Sequence, residues 1–180
     1  MQAFDTQRLH VRPLTEDDEA LYCSLYTDPE VMRHIAAPMT LEVAQRSFRA
    51  ACELQSPLPQ RWIISERDAD SDIGLLGLFA DGDTAEIGVV LLSSKQGQGF
   101  SAEAIKATAD RVFAAAALRL LWTRHAPDNG LAIGLMHKLG FVCEHRDGTQ
   151  HTQLRWQLSR ERWLSHRGNG RGVAISRGDG

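Results

Sequence analysis

The chain is short of cysteine and tyrosine, and it has no long apolar run. Its three cysteines, Cys23, Cys52 and Cys143, are scattered and odd in number. That excludes a disulfide frame or a cysteine-based zinc site and suits a reducing compartment. No apolar stretch approaches the roughly 20 residues of a membrane span. The opening Met1-Gln2-Ala3-Phe4-Asp5 does not read as a signal peptide. We therefore expect a cytoplasmic protein with no membrane partner. Neither sign of charge dominates, since the formal net charge is −3. With no basic stripe, nucleic acid is not an expected partner. There are seven histidines, but His137, His145 and His151 do not stand at ligand spacing on one element, so no metal is expected. The only tyrosines are Tyr22 and Tyr26.

The 180 residues, 43% hydrophobic and 24% charged, suit one domain with a sizeable core. Alternation in Arg8-Leu9-His10-Val11-Arg12 predicts a strand ended by Pro13. Thr15 with Asp18 predicts a helix start, and Ala20, Leu21, Ser24 and Leu25 form its stripe. Asp28-Pro29 starts a short helix. Thr40 caps a third helix carrying Leu41, Ala44, Phe48, Ala51 and Leu54. A loop at Ser56-Pro57-Leu58-Pro59 leads into strands at 62–66, 73–79 and 84–92, an antiparallel meander with acidic turns. The main helix is expected over 101–118, with Ile105, Ala109, Val112, Phe113 and Ala116 inward. A strand at 120–124 follows, then a helix at 131–139 stopped by Gly140. Strands at 141–146 and 153–158 come last, with a helical stub from Ser159 to Leu164. From His166 on, glycine and arginine dominate, which predicts a disordered tail at 166–180 after one domain at 1–165.

The chain is organised around residues 86–106. An apolar run through Ile87, Val89, Val90 and Leu91 suits a buried strand. It turns through Gln96-Gly97-Gln98-Gly99 and opens a helix. A strand, a glycine turn and a helix N-terminus together favour an anion such as a phosphate. No Gly-Lys-Ser/Thr closes the turn, so it is not a Walker A loop. Nor does it carry the full dinucleotide fingerprint in the first strand–helix unit.

The stretch is similar to the acyl-CoA loop of the GCN5-related N-acetyltransferases (GNAT), and further motifs resemble their ribosomal-protein N-terminal acetyltransferase branch, the RimJ/RimL-like group. These are Thr6-Gln7-Arg8-Leu9-His10-Val11-Arg12-Pro13, Asp28-Pro29-Glu30-Val31-Met32, Glu86-Ile87-Gly88, Gly97-Gln98-Gly99-Phe100-Ser101-Ala102-Glu103-Ala104, and Asn129 followed by Lys138-Leu139-Gly140-Phe141. The resemblance covers residues 6–164. Three positions depart from the pattern. Ser94 replaces the first Arg or Gln of the loop, Ala132 stands where Ser is frequent, and Met136 where a proton-donating Tyr is frequent.

The resemblance implies an α/β (α+β) GNAT fold, with a mixed, mostly antiparallel sheet and helices on both faces. It implies an enzyme that moves an acetyl group from acetyl-CoA to a primary amine, such as a protein N-terminus, by direct attack through a tetrahedral intermediate. Homodimerisation is implied only by the same likeness. The pantetheine arm is expected along Val89, Val90 and Leu91, and the pyrophosphate on Gly97, Gly99, Phe100 and Ser101, with Gln96 and Gln98 beside it. Glu86 is the candidate general base, acting through water. Asn129 is a candidate for cofactor contact or for holding a water near the sulfur, or alternatively a helix cap. Glu103 is read as structural. His34 is a candidate acceptor contact, alternatively a surface residue, and Trp62 and Trp156 are read as core. Rival readings are a catalytically weak acyl-CoA sensor, a small-amine or antibiotic acetyltransferase, and a nucleotide-phosphate binder.

Overall fold

The computed structural model describes residues 1–53, 60–69, 71–115, 117–144 and 153–168. Among these the strands are β1 (Phe4–Asp5), β2 (Leu9–Pro13), β3 (Arg61–Glu66), β4 (Ser71–Asp81), β5 (Thr84–Leu91), β6 (Leu120–His125), β7 (Val142–Cys143) and β8 (Leu154–Ser159). The helices are α1 (Glu19–Thr27), α2 (Pro29–Met32), α3 (Leu41–Glu53), α4 (Phe100–Ala114), α5 (Gly130–Lys138) and α6 (Arg160–Gly168). The strands form one sheet in the order β1-β2-β3-β4-β5-β6-β8-β7. Every pairing is antiparallel except β5 with β6. That parallel pair needs a crossover, and α4 supplies it.

The sheet is covered on both faces, which is why β3 reads as an unbroken apolar run, Trp62-Ile63-Ile64. Ile63 points into a core with Tyr22 and Leu25 of α1, Val31 of α2, and Phe48 and Ala51 of α3. Trp62 and Ile64 point the other way, into a core with Phe100, Ile105, Ala109 and Phe113 of α4, Met136 of α5 and Trp163 of α6. The β3–β4 register slips between Ile64 and Ser65. The extra residue lets Ile73 join the α4-side core although Leu75, two residues on, lies in the other.

Several boundaries differ from those expected. α4 stops at Ala114, not 118, and the Ala115 N–H donates to the Arg111 carbonyl. Leu118 is instead a buried core residue outside the helix. β4 is longer than expected and β1 was not foreseen. Only Val142–Cys143 of the expected 141–146 strand is paired among the described residues. α6 continues to Gly168 and crosses the expected domain boundary at 165/166. Leu54, the loop 56–59, Asp70 of the acidic turn, Ala116, His145, Arg146, His151 and residues 169–180 of the expected tail lie outside the described residues. Among the described residues no helix is long and apolar enough to cross a membrane.

The capping residues do what their chemistry suggests. Asp28 Oδ1 accepts from the Glu30 N–H at 2.8 Å, and Thr40 Oγ1 accepts from the Val43 N–H at 3.3 Å. Asp18 is buried. Its carboxylate accepts from the Thr15 N–H at 2.7 Å and from Arg12 at 2.7 and 2.9 Å. This pins the start of the helical layer to β2.

Candidate active site

β5 and β6 are paired only at Thr84–Leu120, Ala85–Leu121 and Glu86–Trp122. Beyond Glu86 the two strands part, while β5 stays paired with β4 as far as Leu91. From residue 87 on, one edge of a central strand therefore has no partner strand. A cleft of about 830 Å³ opens there. Ile87 to Leu91 form one wall, the glycine turn and first turn of α4 form one end, and β6 and α5 close the other side. Val89 and Leu91 also pack into the α4-side core and Val90 into the other. Their side chains thus serve the fold while their main chain borders the cleft. A Cβ on Gly88 would meet nothing within 4 Å, so the absence of a side chain there keeps the cleft open.

The turn is held in a shape that only glycine adopts readily. Gly97 has φ 74° and Gly99 φ 84°, both in the left-handed region. Gly99 is the N-cap of α4 and provides no side chain to cap it. The first helical bond runs from the Glu103 N–H to the Gly99 carbonyl, 3.1 Å. The N–H groups of residues 100–102 precede the first intrahelical donor, Glu103, and lie at the positive end of the helix. The amides of Gln96 and Gln98 are committed within the loop. Gln96 Nε2 donates to the Leu91 carbonyl at 3.1 Å, and Gln98 Nε2 to the Ser94 carbonyl at 2.9 Å. Gln96 still borders the cleft, whereas Gln98 does not.

Glu103 braces this turn from behind. Its Oε1 accepts from the Thr6 hydroxyl at 2.6 Å and the Arg8 N–H at 2.8 Å, and its Oε2 from Arg8 Nε at 2.7 Å. Arg8 in turn donates to the Gln98 carbonyl at 3.0 Å and lies over the Phe100 ring. Burial opposes the charge on Glu103, but the bonds from Thr6 and Arg8 outweigh it and hold the carboxyl below its ordinary range. Its place is structural.

The remaining candidates line the same cleft. Glu86 is half-buried and ion-paired with Arg124 Nε at 3.1 Å. His34 borders the mouth, its Nδ1 3.4 Å from Asp128 Oδ1. Asn129 caps α5, its Oδ1 accepting from the Ala132 N–H at 3.0 Å. The cap is therefore observed, and the residue also borders the cleft. Ala132 and Met136 present only apolar surface. Neither tyrosine lines the cleft: Tyr22 bonds Ser47 at 2.9 Å, and burial pushes Tyr26 up to about 12. Trp62 and Trp156 are buried core residues. Among the described residues no cluster of potential metal ligands is present, and His137 packs edge-on against Trp156. A second hollow of about 470 Å³ lies beside β2 and β3. Its charged groups pair with neighbours, Asp5 with His10, Arg12 with Asp72 and Glu66 with Lys95, so it offers a ligand little.

Among the wall residues that the sequence did not single out are Arg124 and His125. The alternation of Leu121, Thr123 and His125 is the signal that places His125 on the inward face of β6. The Glu86–Arg124 pair has no local signal, because it arises from the β5–β6 register.

A family model described as an acetyltransferase (GNAT) domain matches residues 8–142. The N-acetyltransferase p20 of Bacillus licheniformis, itself uncharacterized, is 27% identical over 152 residues, 80% of this chain and 84% of that protein. Among solved structures, the spermidine N-acetyltransferase of Vibrio cholerae in complex with CoA and spermine is similar at TM-score 0.74 and 19% identity, covering 88% of this chain and 99% of that one. RimL, a ribosomal L7/L12 α-N-protein acetyltransferase in complex with coenzyme A, is similar at TM-score 0.72 and 16% identity, covering 88% and 98%. The splayed parallel pair, the glycine turn and a family model spanning most of the chain converge, and the chain belongs to the GNAT acetyltransferases.

Proposed function

We propose that this enzyme transfers the acetyl group of acetyl-CoA to a primary α-amine at the N-terminus of a protein or peptide, as in the RimJ/RimL-like group. The observation that carries the reading is the continuity of two features in one cleft. A free strand edge at residues 87–91 suits an amide-rich arm, and it runs into the glycine turn and the first-turn N–H groups of α4 at residues 100–102, which suit a pyrophosphate. The expected cosubstrate contacts at Val89, Val90, Leu91, Gly97, Gly99, Phe100 and Ser101 all fit this path. Asn129 contributes as a cap that shapes the α5 wall.

The balance of charge in the cleft supports this acceptor class. Glu30 and Glu86 are offset in the cleft wall by Arg124 and Lys138, with exposed Ile35 and Leu131 at its rim. A polyamine needs an excess of negative charge, whereas a peptide end carries one amine followed by side chains that apolar rim residues can touch. His34, beside Asp128, stands where the peptide would enter.

A protein α-amine titrates near pH ~8 and is partly protonated at neutral pH. Glu86, through a water, takes the first proton and leaves a neutral nucleophile. Attack on the thioester carbonyl gives a tetrahedral oxyanion, which collapses to the amide and the CoA thiol. The test is acetyl transfer to peptides beginning with Ser or Ala, against free lysine and spermidine. The reading predicts kcat/KM about tenfold or more higher for the peptides, equivalent to about 1.4 kcal/mol. Equal or better turnover of spermidine would refute it. Glu86→Gln should keep acetyl-CoA affinity and lose turnover, which separates an enzyme from a sensor.

A further inference from the structure

We infer that His125 carries the amine's second proton to the departing sulfur, taking the part that neither tyrosine of this chain is placed to play. The inference rests on the acetyl-CoA reading above.

His125 is the last residue of β6 and pairs with Leu154 of β8. It lies three residues beyond Trp122, where β5 and β6 cease to pair, so it stands in the splayed part of the cleft. The residue lines the cleft yet is only 8% exposed. It stacks on Trp156 with centroids 5.9 Å apart and planes 23° apart, and Trp156 is braced by the edge of His137. The imidazole is thus held in plane by packing.

Its two nitrogens are not equivalent. Nδ1 lies 3.0 Å from the Ala126 carbonyl oxygen. A carbonyl has no hydrogen to give, so Nδ1 carries the N–H. The neutral ring therefore has its lone pair on Nε2. That atom is buried and has no hydrogen-bond partner. Buried polar groups are normally satisfied. Among the described wall residues, His125 is the one that leaves a buried side-chain nitrogen unpaired. A basic nitrogen, oriented by a carbonyl and by stacking, is what a proton carrier requires. Imidazole is the side chain best suited to moving a proton both ways near neutral pH.

The step balances without another reagent. The neutral amine attacks the thioester carbonyl and the N–C bond forms, leaving the nitrogen positively charged. Nε2 takes a proton from that nitrogen. As the C–S bond breaks, the Nε2–H proton passes to sulfur, and the products are the amide and the neutral thiol. Glu86 has already removed the first proton, so the two residues have separate tasks.

His125→Asn tests this, because an Asn amide can keep the N–H bond to the Ala126 carbonyl while removing Nε2. We expect kcat to fall about 100-fold, within the range of general acid–base catalysis, with acetyl-CoA affinity and KM unchanged within about twofold. His125→Ala should regain turnover when free imidazole is added, which a merely structural role would not allow. Wild-type kcat in His125→Asn would overturn the inference alone. So would a kcat loss matched by weakened CoA binding and not rescued by imidazole. Failure of the wild-type protein to bind CoA would overturn the acetyl-transfer reading as well.

Discussion

Replacing Glu103 by Ala removes the acceptor of three hydrogen bonds, from the Thr6 hydroxyl, the Arg8 N–H and Arg8 Nε. Hydrogen bonds to charged groups contribute about 1.5–3 kcal/mol each in favourable cases. Here they share one carboxylate, and the Arg8 side chain is 40% exposed, so they do not add fully and solvent screens the ion pair. We expect a net loss of about 2–4 kcal/mol, which for a chain of this length lowers Tm by about 4–16 °C. Glu103→Gln, which keeps the shape and loses the charge, should cost less than half of this. The sign with pH follows from the lowered carboxyl pKa. The stabilisation is complete above the ordinary value of 4.5 and is lost as pH falls through the lower folded-state value. The gap between wild type and Glu103→Ala in urea melts should therefore be full at about pH 7 and narrower at about pH 4. Acetyl-CoA affinity should weaken too, since Arg8 then no longer holds Gln98 and Phe100. A gap below about 0.5 kcal/mol at pH 7, the level of an ordinary surface substitution, would refute the reasoning. So would a gap that widens in acid.

Three further outcomes follow from the same geometry. Gly88→Val places a branched side chain in open cleft space. It should leave the melting temperature unchanged or higher while weakening acetyl-CoA binding at least about 100-fold, or about 2.7 kcal/mol, by calorimetry. Gly99→Ala forces an L side chain to φ 84° and should cost about 1–2 kcal/mol in a urea melt, with a parallel loss of acetyl-CoA affinity. Asp18→Asn removes the buried one of Arg12's two carboxylate partners, Asp72 remaining, and should cost about 1–3 kcal/mol at pH 7. Burial opposes the Asp18 charge, but Arg12 and Thr15 hold the carboxyl below its ordinary 3.8, so this contribution also fades only in acid.

What was legible in the sequence was local. Asp28 before Pro29, Thr40 before an amphipathic run, and Asn129 before α5 mark helix starts through short-range hydrogen bonds, and the structure makes those bonds. The glycines at 97 and 99 declared a backbone that other residues resist. What was not legible depended on distant partners. Nothing in the alanine-rich stretch after Phe113 opposes a longer helix. α4 ends because Leu118 must reach the core and β6 must begin beside β5. β1 is two residues long and exists only through its register with Val11 and His10. His125 looked like the start of a loop, since its burial comes from Trp156, thirty-one positions away.

The most direct test of the central claim is calorimetric titration of the protein with acetyl-CoA, with ATP and NAD as controls. The splayed β5 edge and the first-turn N–H groups of α4 at residues 100–102 predict micromolar binding of acetyl-CoA (Kd of about 1 μM corresponds to about −8.2 kcal/mol) and far weaker binding of both nucleotides. No acetyl-CoA binding, or preference for ATP or NAD, would contradict the account.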